Sequence, residues 1–395
     1  MSIPKQKKDY ITNITLKKLS NKTTVQKYLS IDKGKKALNL EFCFNQFYAE
    51  KYKHKSQDLE KFKSKPLTTC KNKFCNICSY IRSRKTFVQT YKAIENMKND
   101  GYEFIAYHLT LTIKNPYTFD ILESYNIMNK AFHNFIHKYK ELDKYLMGWQ
   151  CGREISQNSD AKKNNEFHPH IHCLLLLSVD FYNEKTRNRK ITQKQFRQKW
   201  TNSCAFYNIE AYKIKFKPIK SNEDFINLEN CDAESDPFLS AISEVAKYPT
   251  KPADIQKMSN EHFDILDNVL HKKRQLSTGG LLKEYLAKQK EEEILNISNY
   301  ELIDVLFCDY NNKKFKNYNV KVLNDKEKDV YLLNQQREEQ SRKMHKEFKQ
   351  SDKYKKIQEL KKLKNSVDIN YTEQEIEKFY NDYNDIRKIE FDKIK

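Results

Sequence analysis

Between residues 100 and 285 the apolar positions follow two periods in turn, and each change of period marks a new element. Over residues 105–114 the period is two. Leu109, Leu111 and Ile113 fall on one face and His108, Thr110 and Thr112 on the other, which predicts a strand. Residues 119–146 switch to helical spacing, with Leu122, Tyr125, Ile127, Met128, Phe132, Phe135 and Ile136 as the apolar contributors. Further strands are predicted over 146–155, 168–179 and 211–217, and further helices over 192–206 and 237–248. The order strand, helix, strand, strand, helix, strand predicts an α+β fold, a ferredoxin-like antiparallel sheet with helices on one face. The other face of such a sheet is left to carry a site.

Composition divides the chain into three segments. Residues 1–98 are basic and aromatic and hold a cysteine cluster, and residues 99–285 carry the alternating pattern. Residues 286–395 contain no Gly or Pro and are rich in Lys, Glu, Gln and Asn, which predicts charged, mainly helical structure. A hairpin-like interruption is expected near residues 305–312.

Lysine and arginine number 73 against 53 acidic residues, a net charge of +20. Such an excess suits a polyanion, nucleic acid above all, although a solubilising coat of lysine gives the same total. The polar start, Met1 to Lys8, lacks the apolar core of a signal peptide, and no apolar run reaches the ~20 residues of a membrane span. Nine cysteines argue against a closed disulfide framework. The expectation is a cytoplasmic protein with no membrane partner, its thiols reduced or bound to metal.

The densest chemistry lies in His168-Pro169-His170-Ile171-His172-Cys173. On a strand His168, His170 and His172 share one face, and imidazoles one pleat apart, ~7 Å between Cα atoms, can converge on one cation. Glu154, at the end of the preceding strand, is the candidate third ligand, since carboxylates suit the hard cations that accompany phosphate. Its alternative is an ion pair with Arg153 or a nearby lysine.

Cys70, Cys75 and Cys78 have the C-x4-C-x2-C spacing of zinc ligands, with Cys43 or His54 as the candidate fourth. The alternative is a set of small buried thiols. Arg82 and Arg84 follow closely and suit phosphate contacts. Lys213, Lys215, Lys217 and Lys220 surround Tyr212 and Phe216, a pattern that serves either single-strand binding or the protection of a sheet edge.

In Ser243-Glu244-Val245-Ala246-Lys247-Tyr248-Pro249-Thr250-Lys251, Glu244 and Tyr248 stand four apart, on one face of a helix. Pro249 loosens that alignment, because a residue before proline disfavours helical geometry. This segment, His108 to Thr112, the histidine strand, and Arg274 to Ser277 with Gly279 to Lys283 occur in the order found in small-plasmid rolling-circle replication initiators. The chain resembles that family, which belongs to the HUH endonuclease superfamily, over roughly residues 65–285.

The resemblance implies that His170 and His172, with His168 less firmly, bind Mg²⁺ or Mn²⁺, and that a cysteine cluster, as Zn²⁺ site, precedes the first motif. It implies that Tyr248 attacks a phosphodiester of plasmid origin DNA, single-stranded or extruded as a hairpin. That attack would leave a 5′-phosphotyrosine and a 3′-hydroxyl primer, with Glu244 activating water for the terminating cleavage. Lys247, Lys251, Thr110, Thr112, Arg82 and Arg84 are the expected DNA contacts. Host helicase and polymerase and a second copy of the chain are further candidate partners. A transposase or conjugative relaxase of the same superfamily and a non-catalytic, zinc-stabilised DNA-binding regulator are the competing readings.

Overall fold

The computed structural model describes residues 5–116, 120–157, 167–183, 188–219, 237–246, 250, 252–288, 299–311, 317–351 and 354. The chain divides into two compact units, residues 1–321 and 322–395. The first begins with helices α1 (Lys5–Ser30) and α2 (Gly34–Glu41), strands β1 (Gln46–His54) and β2 (Glu60–Pro66), and helix α3 (Asn76–Asn99). Next come β3 (Phe104–Ile113), α4 (Ile121–Lys138), α5 (Lys140–Asp143), β4 (Leu146–Gln157) and β5 (Phe167–Ser178). The short β6 (Tyr182–Asn183) and β7 (Asn188–Arg189) precede α6 (Gln193–Ala205), β8 (Ala211–Pro218), α7 (Pro237–Ala246), α8 (Pro252–Lys257) and α9 (Asn260–Leu270). The remainder is β9 (Leu276–Gly279), α10 (Gly280–Lys288), β10 (Tyr300–Asn311), β11 (Asn317–Val322) and α11 (Asp325–Gln350).

The alternating segment forms an antiparallel sheet of order β8-β3-β5-β4-β9. With its two crossover helices α4 and α6, the expected α+β sheet is therefore present, extended at one edge by β9. Leu109, Leu111, Cys173, Leu175 and Leu177 line one face and are buried with Met128, Phe132 and Phe135 of α4 and Phe196 and Trp200 of α6. The Trp200 indole N–H donates to the Thr112 carbonyl at 3.0 Å, so its polar group is satisfied inside that layer.

Helices lie on the second face as well, where a bare surface was expected. The reason is visible in β5. Side chains alternate, so His168, His170 and His172 share their face with Leu174 and Leu176. Those two leucines are fully buried with Tyr91, Ile94 and Met97 of α3, Leu239, Ile242 and Val245 of α7, and Leu282 of α10. Burying each leucine stabilises by about 1.5–3 kcal/mol relative to leaving it exposed. The apolar half of the strand thus recruits a helical cover.

Two glycines of β4 let that cover approach. A Cβ on Gly148 would lie 2.8 Å from the Leu282 Cβ, and a Cβ on Gly152 would lie 2.2 Å from the Val245 carbonyl oxygen. α10 and α7 therefore rest directly on the strand backbone. Between the glycines Gln150 is buried and accepts the Thr90 hydroxyl of α3 at 2.7 Å.

A second antiparallel sheet has the order β11-β10-β1-β2. It joins the cysteine-bearing segment to residues that composition grouped with the charged C-terminal segment, so the compositional segments and the compact units do not coincide. In β1 Phe47 and Ala49 are fully buried, and opposite them Cys308 and Leu306 of β10 are buried too. β10 and β11 lie where the hairpin-like interruption was expected. In the second unit α11 starts at a capping box, in which Asn324 and Glu327 satisfy each other's backbone N–H groups. No described helix is long and apolar enough to cross a membrane.

Candidate active site and cysteine centre

Register builds the first cluster. β4 pairs with β5 so that Glu154 stands opposite His170 and Gly152 opposite His172. The Glu154 Oε2 atom is 3.2 Å from His170 Nε2 and 3.6 Å from His172 Nε2. One ligand atom from each of the three lies within 4.8 Å of the others, and all three residues are buried. Burial opposes the charge on Glu154, but hydrogen bonds and attraction from the two imidazoles outweigh it and hold the carboxyl well below the usual range.

The rings are oriented from behind. His170 Nδ1–H donates to the His168 carbonyl at 3.1 Å, which leaves the Nε2 lone pair facing Glu154. Thr110 Oγ1 lies 3.5 Å from His172 Nδ1, and the His108 ring stacks on His172 with centroids 5.5 Å apart and planes 5° from parallel. From the helical cover, Glu244 brings its Oε1 atom to 3.5 Å from His172 Nε2. Two imidazoles and one carboxylate suit a divalent cation, and three donors leave coordination positions open.

Not every expected residue joins this group. His168 turns aside, its Nδ1–H donating to Asn115 Oδ1 at 2.6 Å, and it is absent from the ligand cluster. Thr112, expected to meet DNA, is buried; its hydroxyl donates to the Lys213 carbonyl at 2.9 Å and accepts the Lys213 N–H at 2.7 Å. Phe216 cannot serve as a stacking platform, because it is buried against Tyr107 with ring centroids 4.4 Å apart. Tyr212 and Lys213, Lys215 and Lys217 are exposed along β8. Arg84 is exposed on α3, and Arg82 donates to the Lys71 carbonyl at 3.3 Å. Tyr248, Lys247, Lys251 and Lys220 lie outside the described residues. Gly152 was not among the residues expected from sequence, yet it sets how closely Glu244 approaches. Its signal was there, since two of the chain's six glycines sit four apart on one strand face.

The second cluster contains Cys43, Cys70, Cys75 and Cys78, whose sulfurs lie within 4.8 Å of one another. Cys43 follows α2, Cys70 precedes the loop into α3, Cys75 caps that helix and Cys78 lies in its first turn. Sulfur separations of 3.4 Å (Cys43 to Cys78) and 3.7 Å (Cys70 to Cys78 and Cys75 to Cys43) are far beyond a covalent bond. They match the edges of a tetrahedron, about 3.8 Å when four sulfurs sit ~2.3 Å from a zinc ion. The N–H groups of Cys70, Asn72 and Cys78 and the Asn21 amide each point at a sulfur at 3.4 Å. His54 is elsewhere, packed edge-on against Tyr300 at 4.8 Å.

A family model described as replication protein matches residues 61–332, a span that includes three of the four cysteines, the histidine strand and Glu244. A replication protein of Staphylococcus aureus is 31% identical over 210 residues, covering 52% of this chain and 80% of that protein. The Rep protein of Streptococcus pneumoniae serotype 2 is 26% identical over 234 residues, 59% of this chain and 66% of that protein. That of Lactiplantibacillus plantarum is 26% identical over 236 residues, 58% and 68% of the two chains.

Proposed function

The chain belongs to the family of replication proteins, and from that premise we propose that it initiates rolling-circle replication of a plasmid by nicking, and later rejoining, one strand of the origin. One observation carries the reading: Glu154, His170, His172 and Glu244, from three elements, converge on one side of the sheet. The nucleophile is Tyr248, two residues past the end of α7 in sequence. A phenol has an ordinary pKa of about 10, so it reacts only where nearby positive charge favours the phenolate, and Lys247 and Lys251 are close in sequence.

Attack of the Tyr248 oxygen on phosphorus forms the tyrosyl ester and breaks the bond from phosphorus to O3′. The 3′-oxygen leaves, takes a proton, and is the primer. The 5′-phosphotyrosine is still a diester, so rejoining to another 3′-hydroxyl needs no ATP. Glu244, at the rim of the site, takes a proton from water in the terminating cleavage. Glu154, His170 and His172 would hold a divalent cation, Mg²⁺ or Mn²⁺, which when bound neutralises charge on the phosphate oxygens. The four cysteines would hold zinc away from the reacting atoms, as a structural centre.

The test is nicking of supercoiled DNA that carries the replicon's own origin, with Mg²⁺ or Mn²⁺ present. Nicked circles with protein attached to the 5′ end are expected, and none from Tyr248→Phe. Equal product from Tyr248→Phe removes the nucleophile from the reading. No product from the unaltered protein favours the non-catalytic regulator, and nicking without the origin favours a transposase or relaxase.

A further inference from the structure

Beside the histidine site runs a cleft of about 280 Å³. Lys73, Ser79 and Arg82 form one wall, from the cysteine loop and α3, and Lys273, Arg274 and Gln275, between α9 and β9, form the other. Its floor includes Gly152 and Ala246, each two residues from a carboxylate of the site, Glu154 and Glu244. No carboxylate lines it.

The cations in this cleft are not neutralised by the protein. Arg82 donates to a backbone carbonyl, and the Lys273 ammonium donates to Asn126 Oδ1 at 2.9 Å. Among the described residues neither they nor Arg274 form an ion pair. Gln275 Nε2 is a buried donor that meets no acceptor among the described residues. Lys73 is engaged differently, since it donates to the Leu270 and Lys273 carbonyls and so fastens the cysteine loop to the far wall. Arg153 also lines the cleft and bonds only to neutral groups, Asn129 and Ser277. Four charges without counterions and an unanswered amide donor around one narrow space are completed by an anion rich in acceptor oxygens.

We propose that this cleft binds the phosphodiester backbone of the single strand that leads into the histidine site, with Arg82, Lys273 and Arg274 as the phosphate contacts and Gln275 as a donor. The class of ligand rests on the nicking function proposed above. Its volume falls below the ~300–1,000 Å³ typical of small-molecule pockets, which suits a length of backbone laid along it more than a compact ligand. The cysteine centre then serves DNA binding as well as stability, because the wall that carries Arg82 is held in place by α3 and its thiol-capped start.

Phosphate contacts are indifferent to base sequence, so a fluorescein-labelled (dT)20 serves as probe in an anisotropy titration. The full chain carrying Arg82→Ala, Lys273→Ala and Arg274→Ala is compared with a charge-matched control. That control, Lys138→Ala, Lys140→Ala and Lys144→Ala, alters exposed lysines on the helical layer of the opposite face. Loss of three contacts at ~0.7 each makes the slope of log affinity against log salt shallower by about 2, with Kd raised on the order of tenfold at ~0.1 M salt. Equal effects in the two variants, or none in the first, overturn the proposal, as does a loss confined to duplex probe. If circular dichroism shows that the triple variant does not fold, Arg274→Gln alone is decisive, and an unchanged slope there overturns it. The titration needs neither nicking nor an origin sequence, so absence of nicking and absence of a binding cleft are read separately.

Discussion

The cysteine centre and the histidine–glutamate site gather ligand atoms in different ways. In the first, four sulfurs from two stretches of chain surround one point, and four N–H groups, of Cys70, Asn72, Cys78 and the Asn21 amide, point at sulfur. In the second, two imidazoles and a carboxylate approach from the sheet, and Glu244 reaches in from the helical cover. A complete tetrahedron contributes its binding energy to folding, while three donors leave positions for a substrate. The same operation, removal of ligands, should therefore damage stability at one centre and chemistry at the other.

The largest effect is expected at the sulfurs. Structural zinc contributes on the order of 10 kcal/mol in small domains, so Cys78→Ser should abolish the cooperative thermal transition of residues around α1 to α3 and release zinc. Circular dichroism and metal analysis of the purified chain check this, and an unchanged melt with retained zinc breaks the comparison. Next comes His170→Ala combined with His172→Ala. Nicking should fall by roughly a thousandfold or more, while the melting temperature moves by only about 2–4 °C. Brief chelator treatment should reproduce the second phenotype before the first, with activity restored by Mn²⁺ while zinc stays bound.

Gly152→Ala comes third and touches neither centre directly. The new Cβ would meet a backbone carbonyl of α7 at 2.2 Å, and backbone cannot yield as a side chain end would. α7 must lift, carrying Glu244 with it. A displacement near 1 Å costs about a hundredfold in rate, and overpacking of this kind about 1–3 kcal/mol in stability. Kinetics of the terminating cleavage should suffer more than zinc content, and full activity in Gly152→Ala would show that the position of Glu244 is unimportant.

How much of this was legible depended on range. β3, β4, β5 and β8 announce themselves by alternation, and once β4 and β5 are neighbours the step from His170 to Glu154 is a matter of register. Leu174 and Leu176 share the histidine face, so the second helical layer is already written in the alternation of β5. β9 has four residues, too few to show a period, and it is revealed only by pairing with β4. The second sheet pairs β1 with β10 across more than 200 residues, a contact that no local pattern carries. Cys43 stands 27 residues before Cys70, and only the packing of α2 on α1 and α3 on α1 brings it within reach of the others. The two readings of the Phe216 stretch stayed open in the sequence because interleaved lysines look alike whether the aromatic ring between them faces water or the core.

The smallest expected effect lies at the join between the two regions, where it separates their fates most finely. Asp267 of α9 is buried and accepts the Tyr28 hydroxyl at 2.8 Å and the Lys33 and Lys36 ammonium groups at 2.6 Å each. α9 packs on α1, beside the cysteine centre, and on α4, beneath the sheet. Burial raises the cost of the Asp267 charge, but hydrogen bonds from Lys33, Lys36 and Tyr28 more than offset it and depress the pKa below the ordinary 3.8. A carboxyl depressed in the folded state contributes stability that is fully present above its unfolded pKa and is lost as pH falls through the folded one. Thermal melts should therefore hold steady from pH 7 to about pH 5 as far as this group is concerned, then decline below about pH 4. Asp267→Asn should lower stability at pH 7 by about 1–3 kcal/mol, because both lysines are partly exposed and water screens what they lose. It should also flatten the acid limb of the melt. Zinc content and the metal dependence of nicking should stay as they are, since Asp267 belongs to neither ligand set. A variant that melts at its usual temperature but loses zinc would instead make the join part of the cysteine centre.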